Sequence, residues 1–191
     1  MAERKESGRI IVVVGPSGAG KDSLINHTLD HFDGEEKVQP VRRVITRPCD
    51  GTTEDHATMT MAAFDQSEAD GAFAVSWAAH GLKYGIPAEI RDFVLSGGIA
   101  ICNGSRSALP LFQEAFGHLT VINVTARPEI LAARLEARGR ESRDDILRRL
   151  ARSTMDVRGD FDVVTIDNSG ALEDAGDRLI AVIKAALTAD R

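Results

Sequence analysis

The chain has 191 residues, 43% of them hydrophobic and 27% charged, with 23 basic against 29 acidic side chains for a formal net charge of −6. That length suits a single domain, 1–191, with room for an inserted lobe, and the acidic balance excludes whole-protein attraction to nucleic acid or to an anionic membrane surface. Cys49 and Cys102 fall in no metal-binding spacing, Met1 to Gly8 is too polar for a signal peptide, and no apolar run approaches the roughly 20 residues of a membrane span. A cytoplasmic protein with free thiols is expected, and any basic site must be local.

In chain order, Arg9 to Val14 reads as a buried strand, and Lys21 to His31, with Leu24, Ile25, Thr28 and Leu29 on one face, as a helix stopped by Asp33-Gly34. Val38 to Ile45 carries alternating and β-branched residues and predicts a second strand ending in Thr46-Arg47-Pro48. From Cys49 the pattern loosens into turn residues, acids and short apolar runs. Segment 49–86 is expected to be an inserted lobe, with Phe64, Phe73, Val75 and Trp77 as a small satellite core. Ala88 to Ser96 follows as a helix led by Pro87, then Ile99 to Cys102 as a strand and Ser105 to Phe116 as a helix. Leu119 to Val124 is a strand, Pro128 to Arg138 a helix, 138–145 a polar loop, Asp144 to Val157 a helix, Phe161 to Ile166 a last strand, and Leu172 to Leu187 a closing amphipathic helix. Strands alternating with helices call for an α/β fold with a parallel central sheet covered on both faces.

The first strand runs directly into Gly15, Pro16, Ser17, Gly18, Ala19, Gly20, Lys21, Asp22 and Ser23. Gly15 to Lys21 fits GxxxxGK, a loop whose glycines allow a tight turn that aims backbone N–H groups at phosphate oxygens, with Lys21 as a point charge. A lysine at a helix N-terminus is unfavourable against the macrodipole unless an anion sits there, which argues for a bound phosphate rather than an ordinary turn. After the lysine the motif has Ser or Thr to hold Mg²⁺, and this chain has Asp22 with Ser23 one place later. Asp22 suits either Mg²⁺, a hard cation preferring oxygen ligands, or the role of a first-turn helix acid. Nine of the eighteen arginines lie between Arg127 and Arg158, so positive charge is gathered in one region.

With GPSGAGK, TRP at Thr46 to Pro48, GLKYG at Gly81 to Gly85, and RLEARGR with ILRRL between Arg134 and Leu150, the chain resembles the guanylate-kinase-like branch of the P-loop nucleoside monophosphate kinases over nearly its whole length. The resemblance implies a P-loop NTPase three-layer fold with a parallel central sheet, an inserted acceptor-binding lobe and an arginine-rich lid at 138–145. It also implies transfer of the γ-phosphoryl of ATP to a phosphate on a second substrate. Three departures argue against GMP as that substrate: no second arginine just after TRP, no glutamate at Phe73-Ala74-Val75-Ser76, and no carboxylate on Ile99 to Cys102. Unmatched base donors would cost about 1 to 3 kcal/mol each. RRVITRP, AHGLKYGIP, NGSR and GAGKDS are instead similar to the ribose 1,5-bisphosphate phosphokinases of phosphonate breakdown, which form 5-phosphoribosyl 1-diphosphate.

That resemblance implies ATP, Mg²⁺ and ribose 1,5-bisphosphate as ligands and assigns residues. Lys21, Arg138 and Arg149 are the catalytic cations, Gly15 to Ser23, Arg134 and Asp167 hold ATP, and Asp22 is the metal candidate. Arg43, Arg47, Glu54, His80, Tyr84, Asn103, Ser105 and Arg106 are expected on the acceptor side, Tyr84 through its hydroxyl. Each has a plainer alternative: a wet-edged core ring for Tyr84, an N-cap for Asn103 or Ser105, a helix cap for Asp167 and Asn168, a satisfied polar group for His56 and His80, and a solvated surface for any single arginine. Arg42 and Arg140 are further candidates. Two other functions compete, a guanylate or other nucleoside monophosphate kinase and a non-catalytic guanylate-kinase-like binding module. The sequence leaves a homodimer open.

Overall fold

The computed structural model describes residues 8–47, 56–137 and 157–189. The segment Cys49 to Asp55, the lid segment 138–145 and the helix expected over Asp144 to Val157 fall wholly or almost wholly outside them, and with them Glu54, Arg138, Arg140 and Arg149.

Five parallel strands form the main sheet: β1 (Arg9–Val14), β2 (Val38–Pro40), β7 (Ile99–Asn103), β8 (Leu119–Thr125) and β9 (Asp162–Asp167), in the order β2-β7-β1-β8-β9. Alternation along β1 sorts the core into two layers. Ile11 and Val13 face helices α1 (Lys21–His31) and α6 (Leu172–Ala189) together with Leu24, Leu179 and Ile183. Ile10, Val12 and Val14 face the other way, toward α3 (Glu89–Leu95) and α4 (Leu109–Ala115) through Ile90, Val94 and Phe112. A sheet buried on both faces explains why β1 reads as a continuous apolar run rather than an alternating one. The fold is α/β with a parallel central sheet, as expected.

Chain leaving β1 goes toward β2, and chain leaving β8 goes toward β9 by way of α5 (Pro128–Glu136), so the order reverses between β1 and β8. In open α/β sheets ligands bind outside the carboxyl ends of the strands at such a reversal, which places the site at Gly15 and its neighbours.

The strand expected over Val38 to Ile45 is two strands in two sheets. Pro40 has no N–H to give a ladder, and after Val41 donates to the Ile101 carbonyl (2.8 Å) the chain leaves the main sheet. Val44–Ile45 becomes β3 of a second sheet of order β4-β3-β6-β5, with β4 (Ala57–Thr58), β5 (Phe73–Ala79) and β6 (Leu82–Pro87). Between β4 and β5 stands α2 (Met61–Ala69), which the loosened sequence pattern hid. Its start is set by Thr60, whose hydroxyl accepts a hydrogen bond from the Ala63 N–H (3.2 Å). Thr60→Ala should therefore lower thermal stability by about 1 kcal/mol, read as a fall in Tm with kinetics unchanged.

The satellite core divides in the same way. Phe64 and Phe73 do pair, ring centroids 4.5 Å apart, but Val75 and Trp77 belong to the main core beside Ile86 and Phe112. The second sheet is thus seated on the first rather than tethered beside it.

Candidate active site

Three glycine positions shape the loop after β1. A Cβ on Gly15 would stand 2.3 Å from the Val124 carbonyl oxygen, so the chain can pass β8 only without a side chain. Gly18 and Gly20 take φ of 85° and 82°, a left-handed conformation costly for other residues. Gly20 is also the N-cap of α1 and offers no side-chain acceptor, so the first N–H groups of an eleven-residue helix stay available at its positive end. Lys21 curls back, its Nζ donating to the carbonyls of Gly15 (3.0 Å) and Pro16 (3.1 Å). An ammonium held across the loop mouth and a set of uncapped N–H groups together make a polyanion receptor.

A second layer holds this loop. Asn168, buried to 2% exposure just beyond β9, donates through Nδ2 to the Ala19 carbonyl (2.7 Å). The same nitrogen would lie 2.6 Å from a Cβ on Gly20, and Arg134 Nη1 would lie 3.8 Å from it. Arg134, on α5, therefore reaches the loop it was expected to serve. Its Nη1 is buried with no hydrogen-bond partner among the described residues. The cap offered as the plainer alternative for Asn168 is not formed among the described residues: its Nδ2 is given to the loop, and its Oδ1, the atom a cap would use, accepts no hydrogen bond there. Asp167 beside it is exposed and bends over Ser169: the Ser169 hydroxyl first, then its N–H (3.0 Å) and the charges of Arg127 and Arg178, hold the Asp167 carboxyl below the usual carboxylate range.

The strand ends on either side of β1 complete the crevice. Asn103, at the end of β7 and 8% exposed, pairs in register with Val13 of β1 and donates through Nδ2 to the Asp22 carboxylate. Its Oδ1 is buried with no partner among the described residues. Asn103 is thus no helix cap, and neither is Ser105, whose hydroxyl pairs with that of Ser107 (2.7 Å). Arg106 opens the short 3-10 turn before α4 and donates to the Asn123 side chain of β8 (3.2 Å), while burial pushes its guanidinium below the usual arginine value. A partly desolvated arginine remains charged at neutral pH and interacts more strongly with an anion than a solvated one. A cavity of about 180 Å³ lies alongside, lined by Asp22, Asn26, Arg42, Cys102 and Asn103 among others.

The second sheet carries the remaining candidates. Thr46 is tied to β6 through its N–H to the Lys83 carbonyl (3.1 Å) and through its hydroxyl, which accepts from Lys83 N–H (2.9 Å), and this fixes the chain that carries Arg47. Arg47 is half-buried, and its Nε has no partner among the described residues. Trp77 and Tyr84 are direct partners across β5 and β6, rings 5.2 Å apart and 8° from parallel. On the other flank, from the residue just before β3, Arg43 lies over the Tyr84 ring at 5.4 Å. Trp77 and Arg43 thus both pack against the tyrosine ring, from the strands on its two sides. His80 stands apart from this group. It is exposed at the tip of the β5–β6 hairpin, where its φ of 53° and the 74° of Gly81 make the two-residue turn that such a hairpin needs. His56 is buried at 2% exposure, next to β4.

Sequence reasoning named Asn103, Asp22, Arg43 and Tyr84 but not the contacts of Asn103 with Asp22 and of Arg43 with Tyr84, and it missed Asn123 and Trp77 as supports. Asn123 had a signal, an amide inside the apolar strand LTVINVT.

No family model matches the chain. A ribose 1,5-bisphosphate phosphokinase PhnN of Agrobacterium fabrum is 57% identical over 92% of this chain and 96% of its own length. The chain belongs to the ribose 1,5-bisphosphate phosphokinase family. A second member, from Rhizobium etli, is 54% identical over 93% of the chain and 90% of that protein. Among solved structures a guanylate kinase of Anaplasma phagocytophilum superposes with a TM-score of 0.68, covering 94% of this chain and 86% of that one at 21% identity. A gluconokinase of Sinorhizobium meliloti gives a TM-score of 0.52 at 18% identity. The structural likenesses establish the P-loop kinase fold, and the sequence relatives establish the family within it.

Proposed function

We propose that this phosphokinase family member transfers the γ-phosphoryl group of ATP to the C1 phosphate of ribose 1,5-bisphosphate, giving 5-phosphoribosyl 1-diphosphate and ADP. Two relatives above 50% identity that carry the name of this activity support the reading, together with the cations Arg43, Arg47 and Arg106 on the acceptor side. The GMP-kinase alternative loses support at Ile99 to Cys102 and Phe73 to Ser76, which carry no carboxylate to accept from a guanine. The non-catalytic module loses support at Lys21 and the uncapped start of α1, an anion receptor that a scaffold does not need.

In this reading Lys21 and the loop N–H groups hold the β- and γ-phosphates, and Arg134 covers the loop from α5. Arg43, Arg47 and Arg106 hold the two phosphates of the acceptor, and the Tyr84 hydroxyl donates to one of them. Arg138 and Arg149, which lie outside the described residues, are the remaining catalytic cations of this reading. An oxygen of the C1 phosphate forms a bond to the γ-phosphorus while the bond from that phosphorus to the β,γ-bridging oxygen breaks, and ADP leaves with the electron pair. Such a transfer passes through a loose transition state with charge spread over the phosphoryl oxygens, so these residues act by alignment and charge stabilisation.

The donor set also fits Mg²⁺. Asp22 and the amide oxygen of Asn103 are hard oxygen donors, and that buried oxygen has no partner among the described residues. Among the described residues no group of three or more His, Cys, Asp or Glu side chains gathers for a metal, which suits an ion bound chiefly by phosphates and water. The ion would supply charge neutralisation at the β- and γ-oxygens.

No helix among the described residues is long and apolar enough to cross a membrane, and a cytoplasmic enzyme working on soluble substrates fits the acidic surface. A panel of acceptors, with ADP release as the readout, tests the function. Ribose 1,5-bisphosphate should be turned over at least about 100-fold faster than GMP under kcat/KM conditions, since a site without base acceptors leaves the guanine donors unpaired. Preference for GMP would reverse the assignment.

A further inference from the structure

In P-loop NTPases Mg²⁺ is held by the Ser or Thr that follows the loop lysine and by an aspartate elsewhere in the fold. Here the residue after Lys21 is the carboxylate Asp22, and β7, hydrogen-bonded to β1, ends on the amide Asn103. The two touch, Asn103 Nδ2 donating to Asp22. A carboxylate only accepts, so the amide nitrogen must face it and the amide oxygen must face elsewhere. That oxygen is the one left buried without a partner among the described residues, on a side chain 8% exposed.

We propose that the charged and the neutral oxygen ligands of the phosphate-bound cation have been exchanged between α1 and β7: Asp22 brings the negative charge, and Asn103 holds that carboxylate in place and keeps an amide oxygen beside it. The exchange leaves one charge and one neutral oxygen at the metal position. It moves the charge onto the first turn of α1, where the helix dipole favours an anion and where Lys21 is its chain neighbour. Asn103 is accordingly a positioning residue as well as a ligand candidate. The inference rests on the loop being a nucleotide site.

Mn²⁺ serves as the probe, with its free signal followed by electron paramagnetic resonance in the presence of ADP and an excess of full-length protein, and ADP binding measured separately by calorimetry in EDTA. Asp22→Asn, which keeps the side-chain shape, and Asp22→Thr should each weaken Mn²⁺ binding by about tenfold or more, and Asn103→Ala by about tenfold, with ADP binding in EDTA retained. Adding Asn103→Asp to Asp22→Thr restores one carboxylate and one hydroxyl in the more usual places and should recover most of the lost affinity. Wild-type Mn²⁺ affinity in Asp22→Asn would overturn the proposal, as would a double variant no tighter than Asp22→Thr with its ADP binding intact. If the unaltered protein fails to bind ADP with or without Mn²⁺, the nucleotide reading itself falls, and the exchange with it.

Discussion

Lys21→Met should lower kcat by about 10² to 10³ while leaving the melting temperature close to that of the unaltered protein. The methionine keeps the unbranched stem and its packing, so the change removes only the ammonium that now bridges the Gly15 and Pro16 carbonyls. In the proposed mechanism that ammonium faces charge spread over the transferring oxygens, so the loss should fall on the chemical step more than on substrate capture. Steady-state kinetics at saturating ATP would read it as a fall in kcat with a modest change in KM. A tenfold rise in KM with kcat intact would mean instead that Lys21 only binds, equally in ground and transition states.

Phe112→Ala should have the largest effect on folding, about 3 to 5 kcal/mol in chemical denaturation. Phe112 is fully buried on α4 and meets Trp77 at 5.7 Å and Phe116 at 6.4 Å between ring centroids. Through Trp77 it supports Tyr84, the ring that carries Arg43. Removing it opens a cavity under the sheet that bears the acceptor candidates, so stability and acceptor KM should move together. Loss of stability with an unchanged acceptor KM would show that the second sheet holds its geometry without this contact.

How much of this was legible beforehand depends on the kind of signal. β1 and α1 were readable because an apolar run, a glycine loop and a helical period follow one another without interruption, and α1 begins and ends where the period places it, at Lys21 and His31. The split of Val38 to Ile45 was not, since β-branched residues recur on both sides of the point after Val41 where the chain leaves one sheet for another. Helix α2 was missed because only Phe64 of its nine residues is buried, leaving almost no apolar stripe to read. At the site, residue types were legible and pairings were not. Asp22 and Asn103 are 81 positions apart, Asn168 and Ala19 149 apart, and contacts at such separations are set by strand order. His80 shows the converse: its neighbours in AHGLKYG drew attention to it, while its left-handed backbone belongs to the requirements of a tight hairpin.

The central claim is that the loop of Gly15 to Ser23 delivers a phosphoryl group to a sugar phosphate. Phosphorus NMR of the full-length protein with ATP, Mg²⁺ and ribose 1,5-bisphosphate tests it most directly. The account predicts that the C1 phosphate signal is replaced by the coupled pair of a diphosphate ester as ADP accumulates one for one. ADP formed alongside inorganic phosphate, with the C1 phosphate signal unchanged, would contradict it.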